Sequence, residues 1–146
     1  MRLSLQTDYA LRALIHLAAS ETGSVSAPAM ARAYGISQNH LVKVLQRLGK
    51  LGYVGSVRGR GGGVRLTKAP EAIGVGEIVR QLESLAVVEC FTPQNTCPIA
   101  PACRLAAGLG EAMEAYLAVL DRYTIADVTA NRGELMRILG PVRRAC

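Results

Sequence analysis

Three of the chain's four cysteines fall in the short stretch ECFTPQNTCPIAPAC, at Cys90, Cys97 and Cys103. The spacing is Cys-x6-Cys-x5-Cys. Structural zinc sites generally open with a pair of ligands about two to four residues apart, and that pair is missing here. Longer separations suit a loop wrapped round a larger object, and thiolates are soft ligands for iron–sulfur clusters. Pro93, Pro98 and Pro101 keep the stretch out of helix and strand and limit the entropy lost on ordering it. Arg104 places a cation beside the thiols. By spacing alone, a cluster, a zinc site, a thiol–disulfide switch and inert buried thiols are all open. A cluster needs a fourth ligand. Cys146 qualifies by chemistry but sits at the terminus, and a carboxylate is the other candidate.

The elements that would hold such a loop can be read on either side of it. The chain has 146 residues, half of them apolar, which is enough for one ordinary core and argues against disorder. Its opening, MRLSLQTDYALRALIHLAAS, carries Asp8 and Arg12 and no compact apolar run with a cleavage site, so it does not read as a secretory leader. No stretch reaches about eighteen uncharged apolar residues, so no membrane span is expected. The expected location is the cytoplasm, where structural disulfides are unusual.

Charge is divided unevenly. Residues 1–70 hold ten Lys or Arg against Asp8 and Glu21, a net +8, whereas residues 71–146 come to −2. A basic front half suggests a polyanion partner. Within it, apolar positions recur at helical spacing from Thr7 to Ala19, with Thr7 or Ser4 as cap. Ser26 and Pro28 open a second helix that Gly35 ends, and Ser37 caps a third from Gln38 to about Lys50. The pair joined by YGIS is a helix-turn-helix pattern. Tyr53, Val54 and Val57 then suggest one strand and Val64 to Thr67 another, with a glycine-rich tip between them, which together make a wing.

The start of the third helix offers Ser37, Gln38, Asn39 and His40 to base edges, with Lys43 one turn on. Arg58 and Arg60 at the wing tip suit a minor groove or the backbone. Arg12, Lys50 and Arg65 read as phosphate or solvent charges. His16 lies among apolar neighbours and reads as packed. Beyond Pro70, helices are expected from Val75 to Leu85, from Arg104 to about Arg122, from Thr124 to Val128, and from Asn131 to Leu139. The second and longest of these has more apolar surface than one small domain covers, which suggests a second subunit, packing on the first helix, or both. The fold class is therefore mainly α with a small β-hairpin wing: a winged helix-turn-helix over 1–70, then a loop and dimerisation helices over 71–146, in one compact chain. An enzyme using an exposed thiol on an anionic substrate is the other class considered. Neither a Cys–His arrangement nor a catalytic motif supports it.

The segments RLSLQTDYALRALIHLA, ARAYGISQNHLVKVLQRL, VRGRGGGVRL and VVECFTPQNTCPIAPACRL together resemble the Rrf2 family of winged helix-turn-helix regulators, most closely its nitric-oxide-sensing repressor branch. The resemblance implies a homodimer that crosses its long helices on a partly palindromic double-stranded operator. It implies a 4Fe-4S cluster on Cys90, Cys97 and Cys103, with Asp8 of the other subunit as fourth ligand. It also implies that reaction of the cluster with nitric oxide releases the operator DNA. An ion pair with Arg12, four residues on, is the simpler role for Asp8. Cys146 matches no family ligand. The iron–sulfur assembly branch carries a histidine three residues after its last cysteine, where this chain has Ala106, and a single-cysteine branch fits poorly. An iron-responsive branch has a similar loop but tends to carry Asn at position 8. A thiol or zinc switch without a cluster is the remaining alternative.

Overall fold

The computed structural model describes residues 2–59 and 62–140. Arg60 and Cys146 therefore lie outside the described residues. Helix α1 spans Leu5–Ala19, α2 Ala27–Tyr34 and α3 Gln38–Lys50. Each begins with a serine whose hydroxyl accepts from a backbone N–H three residues on: Ser4 from Thr7 (3.2 Å), Ser26 from Ala29 (3.3 Å) and Ser37 from His40 (3.5 Å). Between α2 and α3 the chain reverses at Gly35, which sits in the left-handed region (φ 62°) that a Cβ disfavours. Strands β1 (Val54–Val57) and β2 (Gly63–Leu66) pair antiparallel, Val54 against Leu66 and Val57 against Gly63. Val25, ahead of α2, bridges Val64 and so ties the hairpin back to the helices.

Helix α4 covers Val75–Leu82, α5 Arg104–Leu120, α6 Ile125–Val128 and α7 Arg132–Leu139. The fold is mainly α with one two-stranded hairpin, as the sequence pattern implies. Most boundaries match expectation within two residues. The exception is α4, expected to reach Leu85 and ending at Leu82, because Glu83 adopts extended backbone and its carboxylate accepts from the N–H of Ser4 (2.6 Å). Among the described residues, no helix is long and apolar enough to cross a membrane.

The main core runs through both halves of the chain. Ala10, Leu14 and Leu17 of α1 and Leu41 and Leu48 of α3 share it with Tyr53, Ile73, Ile78 and Ile125. Burying each Leu or Ile contributes roughly 1.5–3 kcal/mol before chain entropy is counted. The Tyr53 hydroxyl donates to Glu77 of α4, joining the base of the wing to the following helix. The main partner of helix α5 is α4 rather than α1. It packs on α4 through a smaller cluster of Val79, Met113 and Leu117, with Arg80 bonded to Asp121 at its far end. Much of its remaining apolar surface is uncovered: Leu105 is 68% and Val119 47% exposed.

Candidate nucleic-acid interface and thiol loop

The amphipathic pattern of α3 turns Leu41, Val44, Leu45 and Leu48 into the core. That leaves Gln38, Asn39, His40 and Lys43 exposed together on the first turns, where a groove-reading helix presents its side chains. Ser37 is exposed too, with its hydroxyl engaged as the helix cap. Arg58 is exposed at the edge of the wing tip, and Arg65, opposite Gly55 on the hairpin, is exposed too. The expectation for Arg60 falls outside the described residues.

The first turn of α1 is a neighbour of this reading head. Leu5, Gln6 and Tyr9 of α1 and His40, Lys43 and Val44 of α3 line one open cleft of about 280 Å³. Asp8 is in the same turn of α1. Both its oxygens are engaged by Arg12, from Nε to Oδ1 at 3.0 Å and from the terminal nitrogen to Oδ2 at 2.8 Å. The simpler role foreseen for Asp8 is thus present in the chain. Arg12 is not a free phosphate charge: its guanidinium also lies 5.8 Å from the ring centre of Tyr34 on α2. The Tyr34 hydroxyl donates to the Arg12 carbonyl (3.0 Å). Burial pushes the Tyr34 phenol up to about 12, against the opposing effect of Arg12.

All three loop cysteines are free thiols of intermediate exposure. Cys90 lies in a 3-10 turn, Glu89–Phe91, and a second 3-10 turn, Ala100–Ala102, precedes Cys103 at the N-terminal boundary of α5. These short turns are the only regular structure the prolines allow between α4 and α5. The loop is tied by its own side chains. Glu89 Oε1 accepts from the N–H (2.9 Å) and the hydroxyl (2.6 Å) of Thr96. The Cys97 N–H donates to Asn95 Oδ1 at 3.0 Å. Hydrogen bonds from the Thr96 side chain and backbone hold the Glu89 carboxyl below its usual range. Sequence reasoning missed Glu89 and Thr96 as the tie, because a contact across seven residues of irregular loop has no periodic signature.

It also missed Glu83. Burial pushes this carboxyl up, but bonds from Thr7 and Ser4 outweigh it and leave it below the usual carboxylate range. Glu83 thereby links the end of α4, where the loop departs, to the start of α1, where Asp8 stands. Among the described residues, no three His, Cys, Asp or Glu side chains of the single chain converge closely enough to hold a metal ion. The donor types nevertheless suit an iron–sulfur cluster: three unbridged soft thiols on one loop, and the Asp8 carboxylate, paired with Arg12 in the single chain, on a partly exposed helix face.

A capped helix pair, an exposed polar first turn and a basic hairpin behind it define a winged helix-turn-helix DNA-binding protein. The chain matches the Rrf2 family, described as "Iron-dependent Transcriptional regulator", over residues 3–131, and it belongs to that family. It is 51% identical over 142 residues to the HTH-type transcriptional regulator NsrR of Bacillus subtilis (strain 168), covering 95% of this chain and 97% of that one. It is 47% identical over 142 residues to the regulator of the same name from Halalkalibacterium halodurans, covering 95% and 97%. Among solved structures it resembles T. potens IscR (TM-score 0.72, 28% identity, 92% of this chain and 90% of that one). It also resembles CymR, the global cysteine regulator of B. subtilis (TM-score 0.70, 28% identity, 90% and 98%).

Proposed function

We propose that this transcriptional regulator is a homodimeric repressor that senses nitric oxide through a 4Fe-4S cluster and releases operator DNA when the cluster reacts. The ligands are Cys90, Cys97 and Cys103 of one protomer and Asp8 of the partner subunit. The observation that carries the reading is the placement of these residues at the two ends of a connected path. The thiols sit on a loop held closed by Glu89 and Thr96. The carboxylate sits on the helix turn that shares a cleft with His40 and Lys43. The bound cluster supplies iron that reacts with nitric oxide.

The chain's own groups do the rest. Asp8 would give up one oxygen now bonded to Arg12, leaving Arg12 one contact fewer on its own helix while it still lies against Tyr34 of α2. The exposed apolar side of α5, with Leu105 and Val119, is the face on which the two protomers meet. Gln38, Asn39, His40 and Lys43, with Ser37 at the helix start, read the major groove, while Arg58 and Arg60 hold the flanking groove or backbone. Two recognition helices bind only when their spacing matches the half-sites, so anything that changes the relation of α1 to its partner subunit changes affinity.

Protein isolated without oxygen should hold about four iron and four sulfide per subunit and lose visible absorption and operator binding together on adding nitric oxide. Cys97→Ser should lose the cluster and tight operator binding. The reading fails if C97S binds the operator as tightly as the unaltered protein. The family's description as iron-dependent favours one second reading, in which iron supply is the signal. In that case iron chelation, not nitric oxide, would release the DNA.

A further inference from the structure

We propose that Glu83 makes each protomer's thiol loop and its own Asp8 move together, so that the two cluster sites of the dimer are coupled. The inference rests on the cross-subunit ligation proposed above. Under it, a protomer lends its Asp8 to the partner's cluster and receives a carboxylate from the partner for its own. Each protomer therefore carries parts of two sites, the thiols of one and the carboxylate of the other. What joins those parts within one chain decides whether the two sites are independent.

The join runs through Ser4. Glu83, where α4 ends and the loop departs, accepts from the Ser4 N–H at 2.6 Å. The Ser4 carbonyl in turn accepts from the Asp8 N–H at 3.0 Å. The foot of the loop is thus hydrogen-bonded, through one residue, to the backbone of the ligand turn. The bond to the carboxylate is charge-assisted, the stronger kind. A second tie lies beside it. Leu3, ahead of α1, and Leu85, between Glu83 and Cys90, both pack on the apolar group of Val79, Met113 and Leu117. The leader of α1 and the departing loop therefore share one seat on α4 and α5. A displacement of the loop reaches Asp8 without crossing the main core. Two-fold symmetry closes these links into a ring, from thiols to Glu83, Ser4 and Asp8 in one protomer and then through the same links in the other. Glu83 is a positioning residue here, acting through Ser4 and not by touching the cluster.

The test uses full-length mixed dimers, one chain carrying Cys97→Ser, separated by tag and isolated without oxygen. Such a dimer keeps one intact site, and the readout is the initial rate of iron loss to a chelator per cluster. In the original background the one-site dimer should lose iron about tenfold faster than the two-site dimer, within the usual range for coupled sites. With Glu83→Ala in both chains the one-site and two-site rates should be equal. Glu83→Gln keeps an acceptor for the Ser4 N–H and should restore the difference. Asp8→Ala checks the ligation itself. Placed on the C97S chain it should speed iron loss further, and placed on the other chain it should not. If the two placements act alike, or the unaltered protein holds no cluster, the cross-subunit ligand and this proposal fall together. If the placements differ while one-site and two-site rates agree, or the rate difference survives E83A, the ligand stands and the coupling through Glu83 is wrong.

Discussion

Beyond its base, the wing is tied back to the chain ahead of α2 through Val25, and a single methyl group should release that tie. Gly63 begins β2 opposite Val57. A Cβ built there would stand 2.6 Å from the Val25 carbonyl oxygen and 2.8 Å from the Ser26 nitrogen. Both are backbone atoms and cannot rotate away. Gly63→Ala therefore has to open the bridge in which Val25 donates to Val64 (3.0 Å) and Val64 donates to Val25 (2.9 Å). Two backbone hydrogen bonds at roughly 0.5–1.5 kcal/mol each put the loss at about 1–3 kcal/mol. The consequence for function exceeds that for folding, because Arg58 and the strand bearing Arg65 lose their fixed position relative to α3. Gly49→Ala is the control. Its Cβ would meet only the Val54 carbonyl oxygen at 3.7 Å, an ordinary contact, and an alanine in the exposed part of α3 should stabilise by up to about 1 kcal/mol. Urea unfolding gives the stabilities, and fluorescence anisotropy on duplex DNA selected by the unaltered protein gives affinities. G63A should unfold earlier and bind at least about tenfold more weakly, with G49A at or above the original stability. If G63A and G49A shared one urea midpoint and one affinity, the closure of the wing on Val25 would not matter and the reasoning would be wrong.

Two further outcomes follow from burial. His16 is neutral in the fold because burial lowers its pKa, while in the unfolded chain it takes up a proton below about pH 6.5. Its contribution to stability is complete above that pH and drains away as pH falls toward its folded value. His16→Phe should remove this slope, so the urea midpoint of the unaltered protein, but not of H16F, should fall further between about pH 7 and pH 5. Identical pH profiles would refute it. On α5, Leu105→Asp with Val119→Asp places charge on two exposed apolar positions, so the monomer should keep its stability while sedimentation velocity shows dimers lost. An unchanged dimer would show that α5 is not the meeting face.

What the sequence could reveal depended on how local the responsible contact is. Ser4, Ser26, Ser37 and Thr124 are legible as caps because each hydroxyl reaches a backbone N–H only three residues on. Asp8 and Arg12 are legible as a pair for the same reason, one helical turn apart. The end of α4 is not legible, because the group that stops it is the N–H of Ser4, seventy-nine residues earlier. Nor is the partner of α5, whose apolar face fits α1 as well as α4 by pattern. Spacing could single out Cys90, Cys97 and Cys103, but not Glu89 and Thr96, which draw the loop together through irregular backbone.

The energies on the path from loop to reading head say how a signal can travel along it. The Asp8–Arg12 pair is about two-fifths exposed on each side (37% and 41%), so solvent screening holds it to roughly 1 kcal/mol or less. Exchanging Arg12 for another partner at Asp8 therefore costs little. Unwinding α1 costs much more, since Leu14 and Leu17 are buried at 0% and 2% exposure and contribute roughly 1.5–3 kcal/mol each. Under the proposed function, a change at Asp8 is thus not transmitted by melting the helix that bears it. The helix stays whole and shifts as a unit. Its movement is felt by α3 across the cleft lined by Tyr9 and His40, and by α2 through the hydroxyl of Tyr34 on the Arg12 carbonyl. Tyr34→Phe tests this route, since it removes only that bond. It should leave iron content unchanged while reducing the ratio of operator affinities before and after nitric oxide. An unchanged ratio would place the coupling across the α1–α3 cleft instead.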